Sequence, residues 1–397
     1  MIKAVRLHYN NSFSEEKYLH FLQDLDQTAG HQIQFRVAET PVFIPDDLKH
    51  KILQACETII EVICKPDFKD ITAKAVPAHQ FVPNEDAHTQ LLAIDFAVCK
   101  DEAGNLVPQL IELQGFPSLY CFQHFLATMY RKHFAIPENF THLFNQLDEN
   151  GYFDLLSKVI LDGHEPENVI LLEIEPHKQK TNIDFYLTQQ YLGIAPVCIS
   201  EITKEGKNLF YLKNGIKTPI HRIYNRIIFD ELEKRTDLKL GFNLTDEINA
   251  TWAGHPNWFF RISKFTLPFI KSEFVPETHF LHQLPELPID LENYVLKPLY
   301  SFAGAGVKIN IQRSDIEQLT DKENYILQRK VAYEPVIQAT DGGLVKTELR
   351  MLFAWHQDDE KPTLLTNLAR LSRGIMIGVD FNKDKTWVGG SVGFFEK

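Results

Sequence analysis

Residues 91–118, LLAIDFAVCKDEAGNLVPQLIELQGFPS, constrain the fold of this chain more than any other stretch. They predict two strands joined by a hairpin turn at 101–105, with Glu112 and Gln114 close to the end of the second. Side chains two apart on a strand share a face. A carboxylate and an amide oxygen therefore project together, among the apolar Leu110, Ile111 and Leu113, just before Gly115 and Pro117 end the strand. Two oxygen donors on one rigid face suit Mg²⁺ with a phosphate on its other side. The groups that would complete such a pocket lie about 180 residues further on.

A chain of 397 residues exceeds one ordinary core, so two or three domains or one multi-lobed protein are expected. The pattern predicts an α/β fold with boundaries at 1–148, 149–275 and 276–397. The formal net charge of −12 argues against a nucleic-acid partner, because affinity for a phosphate backbone needs clustered Lys and Arg. There is no apolar run of 18 residues and no signal-peptide core at the N-terminus, so no membrane partner and a cytoplasmic location are expected. Five scattered cysteines without a CxxC pair predict free thiols. Oligomeric state is not legible.

In the first block, 2–7 is strand-like, and 14–29 and 46–64 read as amphipathic helices, the second opened by Pro45-Asp46. Residues 119–133 predict another helix. In the second block the apolar run 168–174 predicts a strand buried on both faces. A helix over 181–192 and a strand over 195–199 follow. Residues 208–219 form a hairpin around Asn214-Gly215. Strand, helix and strand with short links indicate a small Rossmann-like lobe, without the GxGxxG fingerprint of a dinucleotide site. The third block is strand-rich at 294–297, 307–312, 325–330, 346–354 and 363–369.

That third block carries the remaining chemistry. In YVLKPLYSFAGAGVKI, Lys297 ends a strand, and Ser301, Gly304, Ala305 and Gly306 lie in a loop whose small residues let backbone N–H groups approach phosphate oxygens. Taken alone, a glycine-rich hairpin of this kind is more often a tight turn. YILQRKV at 325–331 is either a plain amphipathic strand or an edge offering hydrogen bonds to a purine. Glu348 and Arg350 share a face in KTELRMLFA, and TLLTNLARLSRG adds Asn367, Arg370 and Arg373. A carboxylate with several arginines and a nearby amide is the equipment of a phosphoryl-transfer site; the lesser alternative is a surface ion-pair set such as Glu348 with Arg370. In HRIYNRIIF the arginines face a cleft or solvent. Lys264, in an aromatic-rich segment, touches phosphate or snorkels to the surface. The 16 histidines have no HExxH or HxH spacing, and no GxSxG elbow occurs, which sets zinc and nucleophilic hydrolases aside.

Together these pieces resemble the ATP-grasp superfamily, and more narrowly its circularly permuted branch, which contains eukaryotic-type glutathione synthetase and glutathionylspermidine synthase. The metal strands, last in the common order, come first here as Asp95…Glu112-x-Gln114. The other pieces follow in the family order. The resemblance covers about 91–125, 222–226 and 260–397. It implies a circularly permuted ATP-grasp fold with an inserted Rossmann-like substrate lobe. It assigns Glu112, Gln114 and Asp95 to metal, and Lys297, Lys264 and the loop Ser301, Gly304, Ala305, Gly306 to nucleotide. Gln328, Arg329, Lys330 and Val331 match the adenine hinge, and Glu348 an acidic nucleotide-site residue. Ser118, Tyr224 and Arg226, with a covering loop at Gly389-Gly390, match substrate positions, and Arg373 a substrate-site arginine that joins Arg350 and Arg370 in offsetting developing charge. Gln114 stands where the family has Asn, Ser301 where it has a metal-binding Glu, and Ala93 where glutathione synthetase has a substrate arginine. These departures argue against glutathione synthesis itself and leave open one metal ion or two. The implied activity is an ATP- and Mg²⁺-dependent ligase joining a small acid to an amine or thiol through an acylphosphate. The alternatives are a nucleotide- or peptide-binding protein on the same scaffold, or a kinase.

Overall fold

The computed structural model describes residues 2–300, 306–374 and 377–397. The chain is a mixed α/β protein whose centre is a six-stranded sheet. Its main path runs Gly389–Ser391, Thr363–Ser372, Leu344–Ala354, Leu91–Lys100, Leu106–Gln114, with the short strand Ile337–Gln338 added beside Leu344–Ala354. All pairings in it are antiparallel. The hairpin predicted from 91–118 thus joins strands from the other end of the sequence, through the pairing of Leu91–Lys100 with Leu344–Ala354. Leu91–Lys100 is buried at nine of its ten positions, because it is a central strand covered on both faces.

The helices Asp46–Ile63 and Tyr120–His133 pack their apolar residues into the same core as this sheet. The N- and C-terminal regions meet in a small sheet, where Val42–Ile44 runs parallel to Gly393–Glu396. Residues 2–7 are helical, not extended. They open the helix Lys3–Ser12, whose inward face holds Arg6 and Tyr9. Arg6 donates to Thr40 Oγ1 at 2.6 Å and Pro41 O at 2.8 Å, and the Tyr9 hydroxyl to Glu39 O at 2.7 Å. These partners lie some 30 residues away, beyond the reach of a six-residue alternation.

The middle of the chain builds a four-stranded parallel sheet in the order Thr251–Ala253, Arg222–Asn225, Val169–Glu173, Ala195–Cys198. The helix Asn182–Leu192 is the crossover between Val169–Glu173 and Ala195–Cys198, and Gly193 at φ 74° caps it. The hairpin of Asn208–Lys213 with Ile216–Ile220 turns at Asn214 and Gly215, both at positive φ as a two-residue turn requires.

A third, antiparallel sheet places Tyr325–Arg329 between Thr278–Phe280 and Tyr294–Pro298. Residues 307–312 contribute one bridge, Lys308 with Leu296, instead of the expected strand. Gly389 and Gly390 do not form a covering loop. They are an edge strand of the central sheet, paired with Leu371 and Arg370, and backed by Arg36 and Ala38. A Cβ on Gly389 would lie 2.4 Å from Arg36 O, and its φ of 121° belongs to glycine.

Candidate functional site

The strand Leu106–Gln114 is not regular. Asp95 stands opposite Glu112, but Phe96 stands opposite Leu110, so Ile111 is an extra residue in a β-bulge. The bulge lets Leu110 and Leu113 both face the core while Glu112 stays partly exposed. A bulged residue is left outside the ladder, and the Ile111 carbonyl accepts instead from Lys297 Nζ at 3.1 Å. The strand's free edge is covered by Phe274, whose carbonyl accepts from Leu110 N at 2.8 Å. Gly115 then ends the strand where a Cβ would sit 2.1 Å from Trp258 O.

Lys297 belongs to Tyr294–Pro298 in the third sheet, so it stitches that sheet to the central one. Its ammonium also donates to Gln328 Oε1 at 2.6 Å, and Gln328 Nε2 donates to Thr278 Oγ1 at 3.0 Å. Burial pulls Lys297 down to about 8, opposed by Glu112 and reinforced by Lys264. Lys264, buried at the start of the 3₁₀ helix Lys264–Phe269, lies 4.0 Å from Glu112 Oε1. Burial lowers it too, with Glu112 opposing. Two desolvated ammonium groups therefore flank one carboxylate.

On the adjacent strands, Arg350 stands opposite Asp95, and Glu348 opposite Arg370. Asp95 is fully buried and takes two hydrogen bonds of 2.7 Å from Arg350 and one of 2.6 Å from Arg370 Nη2. Arg370 also pairs with Glu348, whose second oxygen accepts from the Tyr333 hydroxyl at 2.7 Å. Burial lowers the Arg370 affinity for its proton, but Glu348, Asp95 and Glu112 together leave it above the usual arginine range. Tyr333 lies just beyond the third sheet's central strand, and no sequence pattern marked it. The junction thus holds Lys264, Lys297, Arg350 and Arg370 against Asp95, Glu112 and Glu348, four positive charges to three negative.

The other expected site residues are placed elsewhere or engaged otherwise. Arg373 lies past the end of its strand and makes a bidentate pair with Asp341, 2.7 and 2.8 Å, rather than joining Arg370. Of the hinge residues, Gln328 faces the junction. Arg329 is exposed, with its guanidinium 5.4 Å over the Tyr294 ring, and Lys330 is tied to Glu292 O. Their backbone N–H groups already donate to Glu277 O and Asn293 O, and Val331 is half-buried beyond the strand end. Gly306, at φ 72°, packs where a Cβ would meet Pro298 at 2.8 Å. Ser301, Gly304 and Ala305 lie outside the described residues.

In the parallel-sheet lobe, Tyr224 is a core residue, 1% exposed, whose phenol burial raises. Arg226 reaches across to the loop after Gln114, donating to Phe116 O at 2.7 Å and Pro117 O at 3.0 Å. The half-buried Ser118 follows in that loop. Next to it, Asp184 accepts from Leu119 N at 2.8 Å and Phe122 N at 3.0 Å, capping the helix Tyr120–His133.

The expected metal donors divide. Glu112 and Gln114 keep hard oxygen donors on a partly exposed face, the donor type that would suit Mg²⁺. Asp95 does not fit, since arginines occupy both of its oxygens. Among the described residues no group of three or more His, Cys, Asp or Glu is placed to hold a metal. No helix among them is long and apolar enough to cross a membrane.

Two antiparallel sheets meeting at a cation-rich junction, beside a parallel-sheet lobe, define a multi-lobed α/β protein. No protein-family model and no curated protein sequence matches the chain. A solved structure does resemble it: a glutathione synthetase-like effector from Globodera pallida in its apo form, with a TM-score of 0.60 and 9% identity, over 96% of each chain. The chain therefore has a glutathione synthetase-like fold.

Proposed function

We propose that the protein is an ATP- and Mg²⁺-dependent ligase of the ATP-grasp type, in its permuted order, joining a small amino-acid or peptide-like acid to an amine or thiol. The observation that carries this reading is the convergence of two buried lysines where the two sheets meet, Lys264 on Glu112 and Lys297 on the carbonyl of the adjacent Ile111. A desolvated ammonium gains most from an anionic partner, and a polyphosphate supplies one. In this reading the substrate carboxylate attacks the γ-phosphorus and ADP leaves; the amine or thiol then displaces phosphate. Lys264, Lys297 and Arg370 hold the phosphates and offset charge as it develops, which is most of what phosphoryl transfer asks of a protein. Mg²⁺, held by Glu112 and Gln114, would neutralise phosphate oxygens. The parallel-sheet lobe, with Arg226 and the 116–118 loop, would hold the acid.

The test is ADP release with pooled amino acids, peptides and polyamines, run beside calorimetric titration of ATP with Mg²⁺. Lys297→Ala and Glu112→Ala should lose at least about 100-fold in turnover, the usual cost of one charged contact in a transition state. Near-normal turnover in both variants would sink the assignment. A second reading, a binding protein without ligase activity, draws on the engagement of Asp95 and Glu348 by Arg350, Arg370 and Tyr333. Tight ATP binding with no ADP release under any substrate mixture would favour it.

A further inference from the structure

Asp95 and Glu348 present an unusual arrangement for acids in a nucleotide-type site. Asp95 is 0% and Glu348 3% exposed, and both lean on one guanidinium, that of Arg370. Every oxygen of the pair is spoken for. Arg350 takes both oxygens of Asp95, and Tyr333 takes the second of Glu348. Arg370 differs from Arg350 in exposure: its side chain is 36% exposed, against 11% for Arg350. Its Nε is buried and has no hydrogen-bond partner. Arg350 is thus the charge that balances Asp95, while Arg370 is the guanidinium that keeps exposed surface at the junction. Arginine's planar fork rewards such fixing, because a pre-set plane loses little freedom when it grips an oxyanion.

We propose that Asp95 and Glu348 are positioning residues that hold Arg370 for a polyphosphate, and that the junction takes this anion without a divalent cation in place. This rests on the reading of the junction as a phosphate site. The charge pattern supports the second half. Glu112 alone among the three acids has a partly exposed side chain; Lys264 lies 4.0 Å from it and Lys297 holds the carbonyl of its neighbour Ile111. A divalent cation arriving alone meets a net positive surface. A polyphosphate arriving alone meets two ammonium groups and a prepared guanidinium.

The experiment is calorimetric titration of tripolyphosphate and of ATP, in EDTA and in Mg²⁺, with the wild type, Asp95→Asn and Glu348→Gln. Coulomb's law alone makes both substitutions tighten anion binding, since each deletes a negative charge nearby. Positioning makes them weaken it, and at least a tenfold loss is expected in both variants with native circular dichroism. Tripolyphosphate binding to the wild type in EDTA should lie within about threefold of that in Mg²⁺. Should Asp95→Asn fail to fold, Glu348→Gln carries the sign test, with Tyr333→Phe expected to follow it more weakly. Equal or tighter binding by the folded variants overturns the positioning role. Wild-type binding that needs Mg²⁺ overturns the cation-independent step. No wild-type binding of either anion under any condition removes the phosphate reading itself.

Discussion

The ammonium of Lys297 makes a stability prediction that can be worked through. Burial brings it from 10.5 to about 8 in the folded chain. A base whose folded value lies below its unfolded one leaves the native state holding fewer protons. Its charged form then costs stability in full below about 8, and the cost fades as the pH rises towards 10.5. At pH 7 this cost is at most about 3 kcal/mol, an upper bound because the side chain is only half-buried. At pH 10 less than about 1 kcal/mol remains. Lys297→Met removes the charge at both pH values, at the price of leaving Gln328 Oε1 and the Ile111 carbonyl without their donor. That second loss is independent of pH. The measurement is urea unfolding of wild type and variant at pH 7 and pH 10. The wild type should gain about 2 kcal/mol on the variant between the two. A difference that stays constant within about 0.5 kcal/mol would show that the lysine is not desolvated, and the argument for an anion partner would lose its physical basis.

The same lysine sets the pH dependence of binding. Tripolyphosphate affinity should hold between pH 6 and 7.5 and fall as the pH rises through about 8, where Lys297 loses its proton, and calorimetry of Lys297→Met across that range should show a weaker and flatter profile. Gly115→Ala should cost at least about 2 kcal/mol or prevent folding, because its Cβ would meet Trp258 O at 2.1 Å and the neighbour is backbone; an unchanged unfolding midpoint would refute the close approach. Deleting Ile111 should preserve the fold, since Leu110 and Leu113 then alternate normally around Glu112, while tripolyphosphate binding falls at least tenfold as Lys297 loses its bulge acceptor; retained binding would show that the bulge does not place the lysine.

Much of the fold was legible because its elements announce themselves locally. The helix Glu15–Ala29 begins at Ser14, whose hydroxyl accepts from Lys17 N, and ends at Gly30 in the left-handed region. The Asn214-Gly215 turn and the buried run at Val169–Glu173 carry equally local signals. What failed was set by distant partners. Residues 2–7 look extended until Arg6 and Tyr9 find the backbone around residues 39–41. Gly389-Gly390 has the composition of a mobile loop, yet its small residues serve a close backbone approach to Arg36 at a sheet edge. Glycine permits both, and only the neighbour decides which.

At the junction, residue type and order together named the groups that the fold assembles: Glu112, Lys264, Lys297, Gln328, Glu348, Arg350 and Arg370. The period-2 rule put Glu348 and Arg350 on one face, and the register then set each against a charge of opposite sign on a neighbouring strand. That register is invisible in one sequence, so the same rule could not distinguish Asp95 as a metal donor from Asp95 as an arginine's counter-ion. The physical difference lies in its surroundings. A carboxylate that is to receive Mg²⁺ must keep oxygens open and tolerate hydration, whereas Asp95 is wholly buried and both its oxygens are occupied by Arg350 and Arg370. Glu112, one strand over and lifted outward by the bulge, keeps the openness that Asp95 lacks. Any metal chemistry at this junction therefore falls to the strand that the bulge reshapes, and any guanidinium chemistry to the strands that Asp95 holds in place.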